Sequence, residues 1–418
     1  MIKHIITIAL RNILKYWSYS LINITGLAIG LASFIFIILY ISDELSYDKF
    51  NEKADRIFRV NRFYNANNAN EDAATCPFPL ASTLETAYPE LVEKTVMFFN
   101  GLRPKWFFDY TNSKNEVVKF NESNFYFVDS TVFEIFTFPF LQGDPKTALA
   151  RAGTIVLTES TAKRYFGDES PIGKTIRIEE FAEFEITGVI KDIPTQSHFR
   201  IDMMASMSTF IQLNGGRSQF NPGWIGNPYW TYVLLKPGIK PEMLDQKFPD
   251  FYKTYYTEIK NQDVRHYLQS LTDIHLKSHH MYEMHQNSDI MYVYILSIIA
   301  GIVLILACIN FMNLATASSA GRAKEIGIRK AMGAGAEEIV YTLAKDFIII
   351  VIISLLVAIS VVSFIAIQIK MMLPEFVGLD PLAMISGIFI ILSLVGVTIA
   401  SQTVRALRAN PIDALRYE

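Results

Sequence analysis

Hydrophobic positions are distributed along this chain in two ways. Four uninterrupted uncharged runs cover residues 16–42, 290–321, 347–369 and 381–404. Each exceeds the roughly 20 residues that cross a hydrocarbon core as a helix. Between the first and second runs, apolar residues alternate with polar ones or come in short clusters broken by Pro and Gly. The pattern predicts an α-helical membrane protein with four transmembrane helices and a large α/β extracytoplasmic domain inserted between helices one and two. The expected boundaries are 1–18 for an interfacial amphipathic helix and 19–42, 289–315, 347–369 and 383–402 for the spans. The outer domain then takes 43–288, a cytoplasmic loop 316–346, a short extracytoplasmic loop 370–382 and a cytoplasmic tail 403–418.

The first run also invites reading as a cleaved signal peptide, since Lys3, Arg11 and Lys15 precede it. Its apolar stretch from 21 to 41 outlasts the roughly 7–15 residues of a signal core. It ends in Asp43 and Glu44 without a small-residue cleavage site, so an uncleaved anchor is expected. Residues 2–17 place Ile2, Ile5, Ile6, Ala9, Ile13 and Trp17 on one helical side and Lys3, Thr7, Arg11 and Lys15 on another. This suits a helix lying along the inner leaflet.

Charge changes the picture by orienting it. Lys and Arg number three before the first span, five in 316–346 and three after Val404, against Lys370 alone in the loop between spans three and four. Both termini and the 316–346 loop are therefore expected inside. Residues 43–288 carry 32 acids and 26 bases, whereas the inside pieces carry six acids and 11 bases, an asymmetry hidden in the overall net charge of −3. An acidic domain on the outer side argues against nucleic-acid binding. Cys76 and Cys308 fall in different phases, so no intrachain disulfide is expected, and the outer domain must fold by its own core, as two subdomains.

Within that domain, 56–63, 125–128 and 154–157 read as strands, 80–88 and 159–166 as helices and 176–190 as a hairpin-like pair. In the spans, Gly26 and Gly30 permit close helix approach, either inside the bundle or with another chain. Asn310 and Asn313 share a face and are expected to find partners in protein rather than lipid.

Little chemistry of catalysis is legible. The string GDESPIGKT (167–175) has five residues between its glycines where a nucleotide P-loop has four, and one is Pro171, which has no N–H to give. It reads as a turn between helix and strand. His275, His279, His280 and His285, with Glu283, match no established metal spacing, and His275 sits in a strand-like run; the segment is expected to be a solvated lead into the second span. The inside loop is the most regular remaining feature. Arg322, Lys324, Arg329 and Lys330 form a basic helical run, followed by a small-residue turn (333–336) and by Glu337 and Glu338 opening the next helix. Such a projection suits docking on a cytoplasmic partner or serves as a positive-inside flank.

Several strings resemble a known family. NLATASSAGRAKEIGIRKAMGA (313–334) is similar to the signature loop of MacB/FtsX-type ABC transporter permeases, and RALRANPIDALRYE (405–418) to that family's C-terminus. DELSYDKFNEKADRIFRV (43–60), FYFVDSTVFEIFTFPFLQGDPKTAL (125–149) and VLTESTAKRYFGDESPIGKTI (156–176) resemble its periplasmic core domain. The resemblance implies an FtsX-like permease domain over 289–418 and a permease dimer, of this chain with itself or with a similar one. It further implies cytoplasmic ABC ATPase subunits that hold ATP and Mg, with a periplasmic adaptor left open, and a place in the bacterial inner membrane. By the same resemblance this chain is not itself an enzyme and binds no cofactor or metal. The family's ATPase-coupling helix falls on Arg322, Lys324, Glu325, Ile326, Gly327, Arg329, Lys330, Met332 and Gly333. MacB carries its ATPase in the same chain, whereas this sequence begins with the interfacial helix, so a separate ATPase is expected. The implied function is coupling ATP hydrolysis to movement of the outer domain for export. Regulation of a cell-envelope hydrolase in the manner of FtsX and lipoprotein release are the alternatives.

Overall fold

In the computed structural model the described residues are 17–66, 69–111, 115–178, 181–216, 220, 223–224, 226–256, 263–321, 328, 332, 335–372 and 380–408. The chain divides into two compact units, one of residues 1–45 with 291–418 and one of 46–290. In chain order the helices are α1 (Trp17–Glu44), α2 (Pro79–Ala87), α3 (Val132–Ile135), α4 (Glu159–Phe166), α5 (Met207–Leu213), α6 (Pro241–Asp245), α7 (Phe248–Tyr255), α8 (Ile274–Lys277), α9 (Ile290–Gly321), α10 (Ala336–Met372) and α11 (Pro381–Arg408). The strands are β1 (Ile57–Ala66), β2 (Ala69–Ala73), β3 (Val92–Phe99), β4 (Trp106–Thr111), β5 (Val117–Glu122), β6 (Phe125–Val128), β7 (Phe140–Gly143), β8 (Thr154–Thr158), β9 (Thr175–Ile178), β10 (Ala182–Ile190), β11 (Met203–Ser206), β12 (Trp230–Leu235) and β13 (Asp263–Ser270).

Among the described residues, four stretches are long and apolar enough to cross a membrane: Ser20–Glu44, Ile290–Asn313, Phe347–Ile369 and Pro381–Ala400. They build the first unit. Leu27, Leu31 and Ile35 recur every four residues on α1 and bury a stripe against Ala300, Leu304 and Ala307 of α9 and Ile350, Ala358 and Val362 of α10. Gly26 and Gly30 lie where this packing is tightest. A Cβ on Gly30 would sit 2.6 Å from the Ala307 Cβ, and one on Gly26 would sit 2.7 Å from Asn310 Nδ2. Small residues here let two helices approach closely. Asp380 accepts a hydrogen bond from Ser42 Oγ at 3.2 Å and caps α11 by accepting from the Leu382 amide at 3.0 Å.

The second unit is built on one mixed sheet of thirteen strands among the described residues, in the order β13-β1-β12-β3-β6-β11-β8-β10-β9-β4-β5, with β2 on β1 and β7 on β10. β8 runs parallel to β10 and β6 to β11, the other pairs being antiparallel. The two subdomains expected from size are replaced by this continuous sheet. Its waist is the β3–β6 ladder, only two residue pairs long (Phe98 with Val128, Phe99 with Phe127). The phenylalanines at the waist explain why it does not part. Phe98 meets Phe136, Phe199 and Tyr232 in one core cluster, and Phe127 meets Phe125 and Phe184 in another. Both faces of the ladder are thus sealed by buried aromatics. The segment GDESPIGKT connects α4 to β9 as a turn, with left-handed Gly167 (φ 61°) ending α4.

Candidate functional site

The sheet unit is tied to the apolar helices by two connections, one following α1 and one preceding α9, and both end in buried polar clusters. In the first, Asp48 adopts a left-handed conformation (φ 60°) and is fully buried. Asp is among the few residues with a side chain that tolerates this geometry. Its amide donates to the Gln196 carbonyl at 2.8 Å, and its carboxylate accepts from Ser197 Oγ and the His198 amide at 3.3 Å. The His198 ring bridges onward: Nδ1 lies 2.9 Å from Asp48 Oδ1, and Nε2 lies 2.7 Å from the Tyr232 hydroxyl of β12. Asn51 continues the tie, its Oδ1 accepting from the Thr137 amide at 3.0 Å. The chain leaving α1 is thereby fixed within four residues to the 196–198 segment and to Thr137, and through His198 to β12.

The second connection centres on Arg59. This residue lies in β1 opposite Tyr232 of β12 and Gln269 of β13, so strands flank it on both sides and its guanidinium has no exposure at all. A buried charge of this kind requires a counter-charge and full hydrogen bonding. Both are present. Nη1 and Nη2 donate to the two Glu283 oxygens at 2.5 and 2.9 Å in a bidentate pair. Nη2 also donates to Ser278 Oγ at 2.7 Å and Gln269 Oε1 at 2.8 Å, and Nε to Asn61 Oδ1 at 2.8 Å. Asn61, two residues along the same face of β1, donates to Gln269 Oε1 at 2.8 Å and faces His280 Nε2 at 3.0 Å. His280 and the Tyr267 hydroxyl both reach Asp72 of β2, at 3.3 and 2.6 Å. Burial alone would raise the Glu283 carboxyl, but the hydrogen bonds and charge of Arg59 and the Ser278 hydroxyl hold it below the usual carboxylate range.

The two connections meet in one contact: the Tyr47 ring stacks on the His275 ring with centroids 3.3 Å apart and planes within 3°. The solvated lead-in expected for 275–285 is therefore corrected. His275 is buried in the short helix α8 rather than a strand, and Glu283 and His280 belong to the buried network. A bidentate arginine more than 200 residues away in sequence organises them, which spacing within the segment cannot reveal. Among the described residues no group of three His, Cys, Asp or Glu side chains converges as a metal site would. The arrangement is suited to carrying load: charge-assisted bonds and stacked rings resist sliding of either connection over the sheet.

Of the residues expected to grip an ATPase, Arg322, Lys324, Glu325, Ile326, Gly327, Arg329, Lys330 and Gly333 lie outside the described residues, as does the interfacial helix up to residue 16. Met332 is described and is 77% exposed. Asn310 stands against Gly26 and, like Asn313, is exposed. Arg59 was missed by sequence reasoning. Its one signal was a charge in the middle of the otherwise apolar run IFRV.

Comparison with known proteins follows the division into two units. Residues 20–250 match the family described as MacB-like periplasmic core domain, and 297–411 match FtsX-like permease C-terminal. A relative named macrolide export ATP-binding/permease protein MacB 1, from Yersinia pestis bv. Antiqua, is 24% identical over 299 residues, covering 70% of this chain and 43% of its own length. The chain thus spans under half the length of the curated relatives it matches. A solved domain of a permease protein from Porphyromonas gingivalis aligns with 20% identity and a TM-score of 0.43, covering 53% of this chain and 91% of its own. The periplasmic region of MacB from Actinobacillus actinomycetemcomitans aligns with 15% identity and a TM-score of 0.34, covering 50% and 88%.

Proposed function

Because the chain belongs to the family that joins a MacB-like periplasmic core domain to an FtsX-like permease C-terminal region, we propose that it is the permease subunit of an ABC transporter that passes ATP-driven helix movement to its outer domain. In this reading the sheet unit lies in the periplasm and the four spans in the inner membrane. A second permease chain completes the pair, and ATP with Mg is bound by a cytoplasmic ATPase subunit rather than here. The working output is movement of the outer domain for export. The observation that carries the reading is the junction: both chain connections enter the sheet unit through buried, hydrogen-bonded polar clusters, the second built on the Arg59–Glu283 ion pair, joined by the Tyr47–His275 stack. These contacts hold the chain entering and leaving the sheet unit against the sheet itself, which supports a reading in which displacement of that chain is passed to the domain.

Coupling at the inner end is assigned to the 321–334 segment. Arg322, Lys324, Glu325, Arg329 and Lys330 supply polar contacts, Ile326 and Met332 apolar ones, and Gly327 and Gly333 room for close approach. The test is reconstitution in nanodiscs with the candidate ATPase subunit. Arg329→Glu and Gly327→Leu should leave the sheet unit folded while weakening ATPase binding by more than about tenfold, since loss of a buried charged contact costs about 2–5 kcal/mol. Unchanged binding and turnover for both variants would remove the coupling role from this segment.

A further inference from the structure

Residues 278–288 form a strap whose ends are tied together. Asn287 Nδ2 donates to the Ser278 carbonyl at 3.1 Å, and the Ser288 amide donates to the His275 carbonyl at 2.9 Å. A chain that returns on itself without helix or strand is an Ω-type loop. This one lies directly before α9. It is docked mainly by polar contacts, Glu283 on Arg59 and His280 among Asn61, Tyr267 and Asp72, with Met284 packed against the main core. Met281 and Tyr282 are exposed, the latter in a left-handed conformation (φ 61°). The backbone adds two hydrogen bonds, from the Met281 amide to the Asp72 carbonyl at 2.8 Å and from the Ala74 amide to the Met281 carbonyl at 2.9 Å, and Trp230 Nε1 donates to the Tyr282 carbonyl at 2.7 Å. A surface segment that depends largely on polar contacts opens at a lower free energy than the core beneath it.

Two imidazoles flank Glu283. His280 faces Arg59 and Asn61 of β1, Asp72 of β2, Tyr267 of β13 and Glu283 of the strap itself. His285 faces Arg200, His198 and Asp202 in the segment before β11, and its Nε2 is buried without a hydrogen-bond partner among the described residues. Burial holds both rings below the ordinary histidine range. Arg59 adds to this at His280, where Asp72 and Glu283 oppose it; Arg200 and His198 add to it at His285, where a backbone hydrogen bond to Arg200 and the charge of Asp202 oppose it. Protonating either ring sets a new positive charge beside a buried or paired arginine.

We propose that residues 278–288 are an acid-released latch: with His280 and His285 neutral the strap binds the connection before α9 to the sheet, and with both protonated it lifts from Arg59 and Arg200 and frees that connection. The sign follows from linkage. A histidine held below its unfolded value stabilises the docked strap above that value and loses the contribution as pH falls through it, so release belongs to the range below about pH 6.5. Its consequence, lower coupling in acid, rests on the transmission reading above; the release itself does not.

Hydrogen–deuterium exchange on the full chain in nanodiscs, without ATPase, tests release directly. Between about pH 7.5 and about pH 5, after correction for intrinsic exchange, amides of 278–288 should lose protection by about tenfold or more while β12 stays protected. The double variant His280→Gln, His285→Gln should show no such change. Strap protection independent of pH in the wild-type chain, or lost together with that of β12, would overturn the latch without relying on any variant. So would an unaltered response in the double variant. Release without any change in the ATPase response of the permease would uphold the latch and count against transmission.

Discussion

Replacing Arg59 by methionine removes the charge on which the second connection is built and leaves Glu283 with its side chain only 13% exposed. Breaking a buried ion pair from one side costs about 3–5 kcal/mol, because the remaining charge is uncompensated. Glu283→Ala should cost at least as much, since the guanidinium it abandons has no exposure at all. Glu283→Gln keeps shape and much of the hydrogen bonding, and should cost about 1–3 kcal/mol. The double variant Arg59→Met, Glu283→Leu replaces charge by apolar volume and should recover most of the loss, giving a coupling energy of about 2 kcal/mol or more. The assay is hydrogen exchange of the full chain in nanodiscs, reading β12 for global opening and 278–288 for local opening. If the single variants lie within about 0.5 kcal/mol of wild type, as ordinary surface changes do, or if their effects simply add, then Arg59 does not hold the junction.

In the bundle, Gly30→Ala should destabilise helix packing by about 1–3 kcal/mol, because its new Cβ meets the backbone-fixed Ala307 Cβ. Gly26→Ala, which meets the movable end of Asn310, should cost clearly less; thermal unfolding of the two variants in detergent checks the order. In the sheet unit, burial first and then the charge of Arg62 lower buried His266 from 6.5 to about 3. The unfolded chain therefore binds a proton that the folded one does not as pH falls from 6.5 towards 3. Stability is lost over that window, by roughly 4–5 kcal/mol from this group. His266→Asn should flatten the acid slope of denaturant unfolding followed by tryptophan fluorescence, and an unchanged slope would refute the assignment. For topology, an impermeant thiol reagent on intact spheroplasts should label a cysteine placed at Ser130 and spare one placed at Ala336, and labelling at Ala336 would reverse the orientation.

Much of the architecture was readable because it is local. The four apolar runs, the strand at 125–128, the helix at 159–166 and the turn after it each declare themselves within a few residues. What escaped is non-local. β1 pairs with β13 across some 200 residues, and nothing in either strand states that the other will bury its polar face. Arg59 and Asn61 consequently carry no mark of their burial in the sequence, and the histidines of 275–285 read as a solvated tether, until the sheet order encloses them. The waist at β3 and β6 was hidden for the same reason, since two residue pairs of ladder leave no pattern in sequence while the phenylalanines around them come from five strands and loops.

Transmission itself is tested most directly by a distance. Spin labels on Ser130 of the sheet unit and on Leu382 at the start of α11, both exposed, report movement of one unit relative to the other within a single chain. With the ATPase subunit bound in nanodiscs, the account predicts different distance distributions in the nucleotide-free and vanadate-trapped states, and loss of that difference in Arg329→Glu. Identical distributions in the two states, in a complex that is turning over ATP, would contradict it.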